Sequence, residues 1–158
     1  MIRLSQPQSE DDWRRARRLV EAYVASLHLD LSFQNIAYEI GHLKDEYASP
    51  RGAFLLAELD GADVGCIGVR RFSGDTGEIK RLYVAPSARG HGVGRLLAEK
   101  IVSVAKSLGY ARLRLDTLPE MKAAQTLYES LGFKPIAPYR FNPVEGTAYL
   151  ELTLPAGC

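Results

Sequence analysis

The chain has 158 residues, 46% of them apolar and 25% charged. That length and composition suit an ordinary globular protein with a real core, and we expect a single domain over residues 1–158. The formal net charge of +1 argues against a dedicated nucleic-acid binder, which carries a larger basic excess.

Residues Met1 to Asp12 show neither the apolar run nor the cleavage site of a secretory signal. The longest purely apolar stretch, Ala53 to Ala57, is too short to span a bilayer. Two cysteines, Cys66 and Cys158, make no disulfide framework. Cys66 reads as a buried thiol and Cys158 as a mobile chain end. These absences point to a cytoplasmic protein with no membrane partner.

Ile2 to Ser5 suits a short strand. Ser9 and Asp12 then make a capping box, and Trp13, Ala16, Val20, Tyr23, Val24 and Leu27 follow at helical spacing. Arg14, Arg15, Arg17 and Arg18 read as a solvated face, since Glu10 and Asp11 stand four residues before Arg14 and Arg15. A second helix is expected over Gln34 to Glu46. Phe54 to Glu58 and Val64 to Phe72 read as strands joined by an Asp60-Gly61 hairpin. Gly65 and Gly68 mark a bulge or a close backbone approach.

Glu78 to Val84 is the next strand, stopped by Pro86. A helix follows with Val93, Leu96, Leu97, Ile101, Val104, Ala105 and Leu108 on its apolar face, and Gly109 ends it. Arg112 to Asp116 is a strand. Pro119 and Glu120 open another helix, with Ala124, Leu127, Tyr128 and Leu131 buried. Phe133 to Ile136 and Ala148 to Leu154 are two final strands around the loop Pro138 to Gly146. The order is βααβββαβαββ, without repeats or linkers.

The segment from Val84 to Leu97 joins a strand to a helix through Arg89, Gly90, His91, Gly92, Val93, Gly94 and Arg95. The first N–H groups of a helix lack intrahelical partners and lie at its positive end. Glycines let a phosphate approach that backbone closely, and Arg89, Arg95 and His91 add charge or a donor. A pyrophosphate cradle fits this pattern, and a plain glycine turn with two exposed arginines fits it too. The dinucleotide fingerprint fails, because it needs glycine at Arg95 or Leu97, and the P-loop lacks its Gly-Lys-Ser/Thr.

Arg89-x-x-Gly92-x-Gly94 resembles the coenzyme A motif of the GNAT superfamily of N-acetyltransferases. Glu78 to Val84 resembles that family's fourth strand, and Ala124-x-x-Leu127-Tyr128-Glu129-x-x-Gly132-Phe133 its later helix and strand. The similarity is sharpest over residues 76–136. It implies an α/β (α+β) fold: a mixed, mostly antiparallel sheet of about seven strands flanked by about four helices, with strands four and five splayed. It also implies acetyl-CoA as cofactor, with the pantetheine arm against Leu82, Tyr83 and Val84 and the pyrophosphate at Gly90 to Arg95. Where many relatives carry an asparagine that contacts the cofactor, this chain has Met121, so that contact is either absent or supplied elsewhere, with Asp116 and Thr117 as candidates.

The implied reaction is attack of a primary amine on the thioester within a ternary complex. An alkylamine of pKa ~10.4 is only about 0.04% neutral at pH 7, so a base helps, and the departing thiolate gains from an acid. Tyr128 matches the family's acid, and its position on the apolar stripe also suits a core aromatic. Glu78 matches the glutamate used as base in the histone-modifying branch, and also suits a strand acid paired with Lys80 or an arginine. His28, His42 and His91 lack metal-ligand spacing, so no metal is expected.

The acceptor is expected to be a small amine or amino-acid derivative, with Tyr23, His28, Phe33, Tyr139, Arg140 and Asn142 as residues that could face it. A protein lysine or N-terminus, a non-catalytic acyl-CoA sensor and a homodimer stay open.

Overall fold

The computed structural model describes residues 1–27, 36–48, 50–140 and 142–155. His28, Phe33, Cys158 and the start of the second expected helix lie outside the described residues. Seven strands form one sheet in the order β1-β2-β3-β4-β5-β7-β6. They are β1 Ile2–Ser5, β2 Ala53–Leu59, β3 Ala62–Ser73, β4 Thr76–Val84, β5 Arg112–Thr117, β6 Lys134–Pro135 and β7 Ala148–Thr153. All neighbours run antiparallel except β4 and β5, which are parallel. The five α-helices of the described residues are α1 Glu10–Leu27, α2 Ile36–Gly41, α3 Leu43–Tyr47, α4 Val93–Ser107 and α5 Lys122–Ser130. The mixed sheet and splayed central pair expected from the sequence are present.

Local chemistry explains the joints. Ser9 Oγ accepts from Asp12 N–H at 3.1 Å, and Asp12 Oδ2 accepts from Gln8 N–H at 2.9 Å, so two free donors at the start of α1 are satisfied. Asp60 and Gly61 both take positive φ, 51° and 86°, as a type I′ hairpin turn requires. The expected helix over Gln34 to Glu46 is instead two short helices, α2 and α3. Gly41 lies at the break, where glycine weakens helix continuity, and His42 Nδ1 meets the Tyr38 carbonyl at 2.8 Å. α5 begins at Lys122, later than Pro119: residues 118–121 form a turn closed by Met121 N–H to Leu118 C=O at 3.0 Å. β6 is short because Pro135 has no N–H to donate to a ladder.

Two apolar clusters pack on opposite faces of the sheet. One joins Ile79, Leu113, Leu115 and Leu150 to Val93, Leu97 and Ile101 of α4 and Tyr128 of α5. The other joins Phe54, Leu56 and Cys66 to Ala16 and Val20 of α1 and Tyr47 of α3. Alternation along β4 and β5 puts Glu78, Lys80 and Asp116 on the face opposite Ile79 and Leu115. Along these two strands that face carries charge instead of apolar packing. Arg15 does not belong to the solvated arginine face. Its guanidinium donates to Asp12, Glu58 and Asp63 at 2.6–3.1 Å, tying α1 to the β2–β3 hairpin.

The central pair opens into a gap. β4 and β5 are paired only from Thr76↔Arg112 to Glu78↔Arg114. Beyond Glu78, β4 runs on to Val84 with no ladder partner on its β5 side. A bulge accompanies the divergence: Lys80 pairs with Gly68 and Tyr83 with Cys66, so Arg81 and Leu82 together face Ile67. A bulge bends its strand and sharpens its twist. Arg81 sits in the bulge at φ 65°, a left-handed conformation that costs about 1–3 kcal/mol outside glycine. Its buried guanidinium is held by Glu39 of α2, with Nε to Oε2 at 2.7 Å and Nη2 to Oε1 at 2.9 Å.

Candidate active site

The glycine loop delivers one end of the site. α4 starts at Val93 with Gly92 as N-cap, and no side chain caps it. Leu96 N–H reaches the Gly92 carbonyl at 3.1 Å. The six preceding N–H groups, Gly90 to Arg95, have no hydrogen-bond acceptor among the described residues. Gly90 and Gly92 take φ of 87° and 80°, and a Cβ built on either meets nothing within 4 Å. These glycines are therefore not crowded by protein. They supply a left-handed turn and keep open the space in front of an electropositive helix end, where an anion fits.

A groove runs from this loop along the gap. Tyr23, Leu27, Leu82, Tyr83, Val84, Arg89, Gly90, Gly92, Val93, Gly94, Met121 and Leu127 line its outer half. Tyr23, Leu27, Leu82, Met121 and Ala124 continue into a narrower inner cleft with Lys80, Asp116, Thr117, Tyr128 and Asn142. The structure thus brings Leu82, Tyr83, Val84, Arg89, Gly90, Gly92, Val93 and Gly94 to one groove. It does not bring the side chains of His91 and Arg95 there. The Arg95 guanidinium instead donates to Ser130 Oγ at 2.7 Å and pairs with Glu99 at 3.6 Å, which leaves only its backbone N–H at the loop.

Tyr128 packs as a core aromatic and also faces the cleft. Its ring packs edge-on against Phe133 at 5.2 Å between centroids, inside the core. It also lines the inner cleft, and its hydroxyl has no hydrogen-bond partner among the described residues. Burial pushes the phenol well above its ordinary pKa, with Tyr23 adding to the shift, so it stays protonated at neutral pH and has a proton to donate.

Glu78 is committed elsewhere. Its buried carboxylate accepts from Tyr139 Oη at 2.9 Å and pairs with Arg140 Nη2 at 2.7 Å, both on Oε2. Arg70 Nε stands 3.8 Å from Oε1 and Lys80 Nζ 3.9 Å from Oε2. Glu78 is absent from the lining of the inner cleft. Of the two readings open in sequence, the contacts match the strand acid paired with cations. Burial and the neighbouring Glu78 charge push the Tyr139 phenol far up.

Sequence reasoning gave Lys80 only as a partner for Glu78, offered Asp116 only as a cofactor contact, and did not single out Arg81. Asp116 and Lys80 face each other across the inner cleft, with Oδ1 to Nζ at 3.8 Å, and both side chains are more than nine-tenths buried. Burial pushes Lys80 down to about 8, against the pull of Glu78 and Asp116. Arg81 anchors the bulge. It was legible only as a charge inside a strand, with no pattern to single it out. Cys66 is buried as expected, its thiol reaching the Arg81 carbonyl at 3.3 Å, and burial raises its pKa.

Residues 15–133 match the model of the acetyltransferase (GNAT) family. An N-acetyltransferase of Schizosaccharomyces pombe is 38% identical over 94% of this chain and 90% of its own length. Human N-acetylaspartate synthetase is 33% identical over 75% of this chain and 37% of its own length. Among solved structures, a GNAT-family acetyltransferase of Staphylococcus aureus superposes with a TM-score of 0.79, covering 98% of this chain and all of that one, at 18% identity. The chain belongs to the GNAT family of N-acetyltransferases. Among the described residues, no helix is long and apolar enough to cross a membrane.

Proposed function

We propose that this chain is a single acetyltransferase domain that moves an acetyl group from acetyl-CoA to a primary amine of a small molecule or amino-acid derivative, by direct attack in a ternary complex. The observation that carries this reading is the run of six unpartnered N–H groups, Gly90 to Arg95, opening onto the groove between β4 and β5. Family membership implies a coenzyme A-based acyl donor, and the residues present fit one. The loop backbone suits a pyrophosphate, Arg89 at the groove adds positive charge, and the unladdered edge of β4 offers amide partners to an extended arm. When bound, the donor supplies an activated acyl carbon. A relative named for N-acetylaspartate supports an amino-acid type of acceptor.

The chain's own residues divide the remaining work. The loop and β4 orient the thioester in the gap. Tyr128 enters from the α4–α5 side and donates its proton to the sulfur as the C–S bond breaks. The apolar rim of Leu82, Met121 and Ala124 limits water. Glu78 orders the far wall by holding Tyr139 and Arg140 in place.

Gly92→Asp tests the reading. It forces a side chain into a left-handed position and sets a negative charge before the helix N-terminus. Acetyl-CoA binding measured by calorimetry should be lost in the variant. Wild-type affinity in the variant would overturn the proposal.

A further inference from the structure

The inner cleft contains a charged atom with nothing to bind. Asp116 Oδ2 is buried, in a side chain only 8% exposed, and has no hydrogen-bond partner among the described residues. A buried carboxylate oxygen without a donor is costly, and native structures seldom leave one without a ligand, ion or water to complete it. The other oxygen, Oδ1, has Lys80 at 3.8 Å, beyond hydrogen-bond reach. Glu78, by contrast, has both a phenol and a guanidinium on Oε2. Of these two carboxylates on one sheet face, only Asp116 lines the cleft and has a free acceptor atom there.

We propose that Asp116 binds the acceptor amine through Oδ2 and takes its proton. This rests on the acetyl-transfer reading above and names the residue that recognises the amine. The partner of a lone, buried anionic oxygen is a cationic N–H donor, which is what a protonated primary amine presents. Alternation puts Asp116 on the α1 side of β5 and Leu115 and Thr117 on the α5 side. The amine therefore reaches the acyl carbon from the side opposite Tyr128.

Protons balance. The ammonium gives one proton to Asp116, which passes it to solvent. The neutral amine forms the N–C bond, and the C–S bond breaks as the thiolate takes the Tyr128 proton. The second amine proton then restores Tyr128, so one proton is released per turnover. The groups facing Asp116 are Lys80 and Arg81 of β4, Tyr23 of α1, Tyr149 of β7, and Tyr139 and Arg140 of the loop before β7. Lys80 is the nearest charge, at 3.8 Å from Oδ1, and the phenols, their pKa values raised by burial, stay neutral.

The test compares Asp116→Asn with Glu78→Gln in the full chain. The acceptor probes are n-butylamine and the free amino acids, and the best one acetylated by the wild type is carried forward. Asp116→Asn should bind acetyl-CoA as the wild type does in calorimetry. It should lose about a hundredfold in kcat/KM at pH 7, and the deficit should shrink as pH rises and free amine accumulates. A wild-type rate, a deficit constant across pH, or loss of acetyl-CoA binding would each overturn the assignment. Glu78→Gln should show a pH-independent ratio to wild type. A ratio that recovers with pH would return the base role to Glu78. Should Asp116→Asn melt early, Asp116→Ser carries the same pH test. If the wild type acetylates no probe, the transfer reading itself fails and takes this assignment with it.

Discussion

At the scale of single residues, the site separates carboxylates and phenols by what already occupies them. Tyr139 and Tyr128 are both buried phenols with raised pKa values, yet Tyr139 donates to Glu78 and Tyr128 donates to nothing within the described residues. A free hydroxyl on a protonated phenol is an acid in waiting. Tyr128→Phe keeps the ring against Phe133 and removes only that proton. The variant should fold, bind acetyl-CoA within a few-fold, and turn over at least about tenfold more slowly. Unaltered turnover, measured with a melting curve and under conditions limited by chemistry, would make Tyr128 a packing residue only. Met121 shows what a substitution of type does. It lies at the N-cap of α5, where it makes no side-chain cap, and it lines both halves of the groove, an apolar residue where many relatives carry asparagine.

At the scale of elements, the gap depends on a bulge, and the bulge depends on a six-residue helix. α2 is too short to stand on intrinsic propensity. It is fixed by Glu39, which is 2% exposed and accepts from Arg81, Arg70 and Tyr47. Burial alone would raise the Glu39 pKa, but the Arg81 hydrogen bonds and charge outweigh it, and the net shift is downward. A carboxylate lowered on folding stabilises fully above its ordinary value near 4.5, and that contribution is lost as pH falls through the folded value. Glu39→Gln should therefore cost about 3 kcal/mol at pH 7, since Arg81 loses its buried countercharge. The cost should shrink toward pH 3 in urea melts, where wild-type Glu39 is itself being protonated. A pH-independent difference would show that the pair contributes shape without charge. Gly68 supports the same region by its absence of a side chain: an added Cβ would lie 2.7 Å from Tyr47 Cε1 and 2.8 Å from Cδ1. Gly68→Ala should lower stability by about 1–3 kcal/mol, read as a fall in the urea midpoint.

At the scale of the whole molecule, local rules made much of the fold legible. Asp60-Gly61, the Ser9 cap and the Gly109 stop each act within a few residues, and the expected strands and long helices stand where periodicity put them. The pairing that anchors α2 was not legible, because Glu39 meets Arg81 42 positions along the chain. The left-handed turn of the glycine loop could be read because glycine spacing reports backbone conformation. Asp116 was legible only as a candidate cofactor contact, because only packing reveals which buried oxygen is left without a partner. The central claim is that loop, gap and inner cleft together transfer acetyl groups to amines. The most direct test incubates the purified protein with acetyl-CoA and the amine panel, following free thiol release alongside mass spectrometry of the amines. The account predicts thiol release that requires an amine, matched mole for mole by an N-acetylated product. Acetyl-CoA binding with no amine-dependent thiol release and no acetylated product would contradict it.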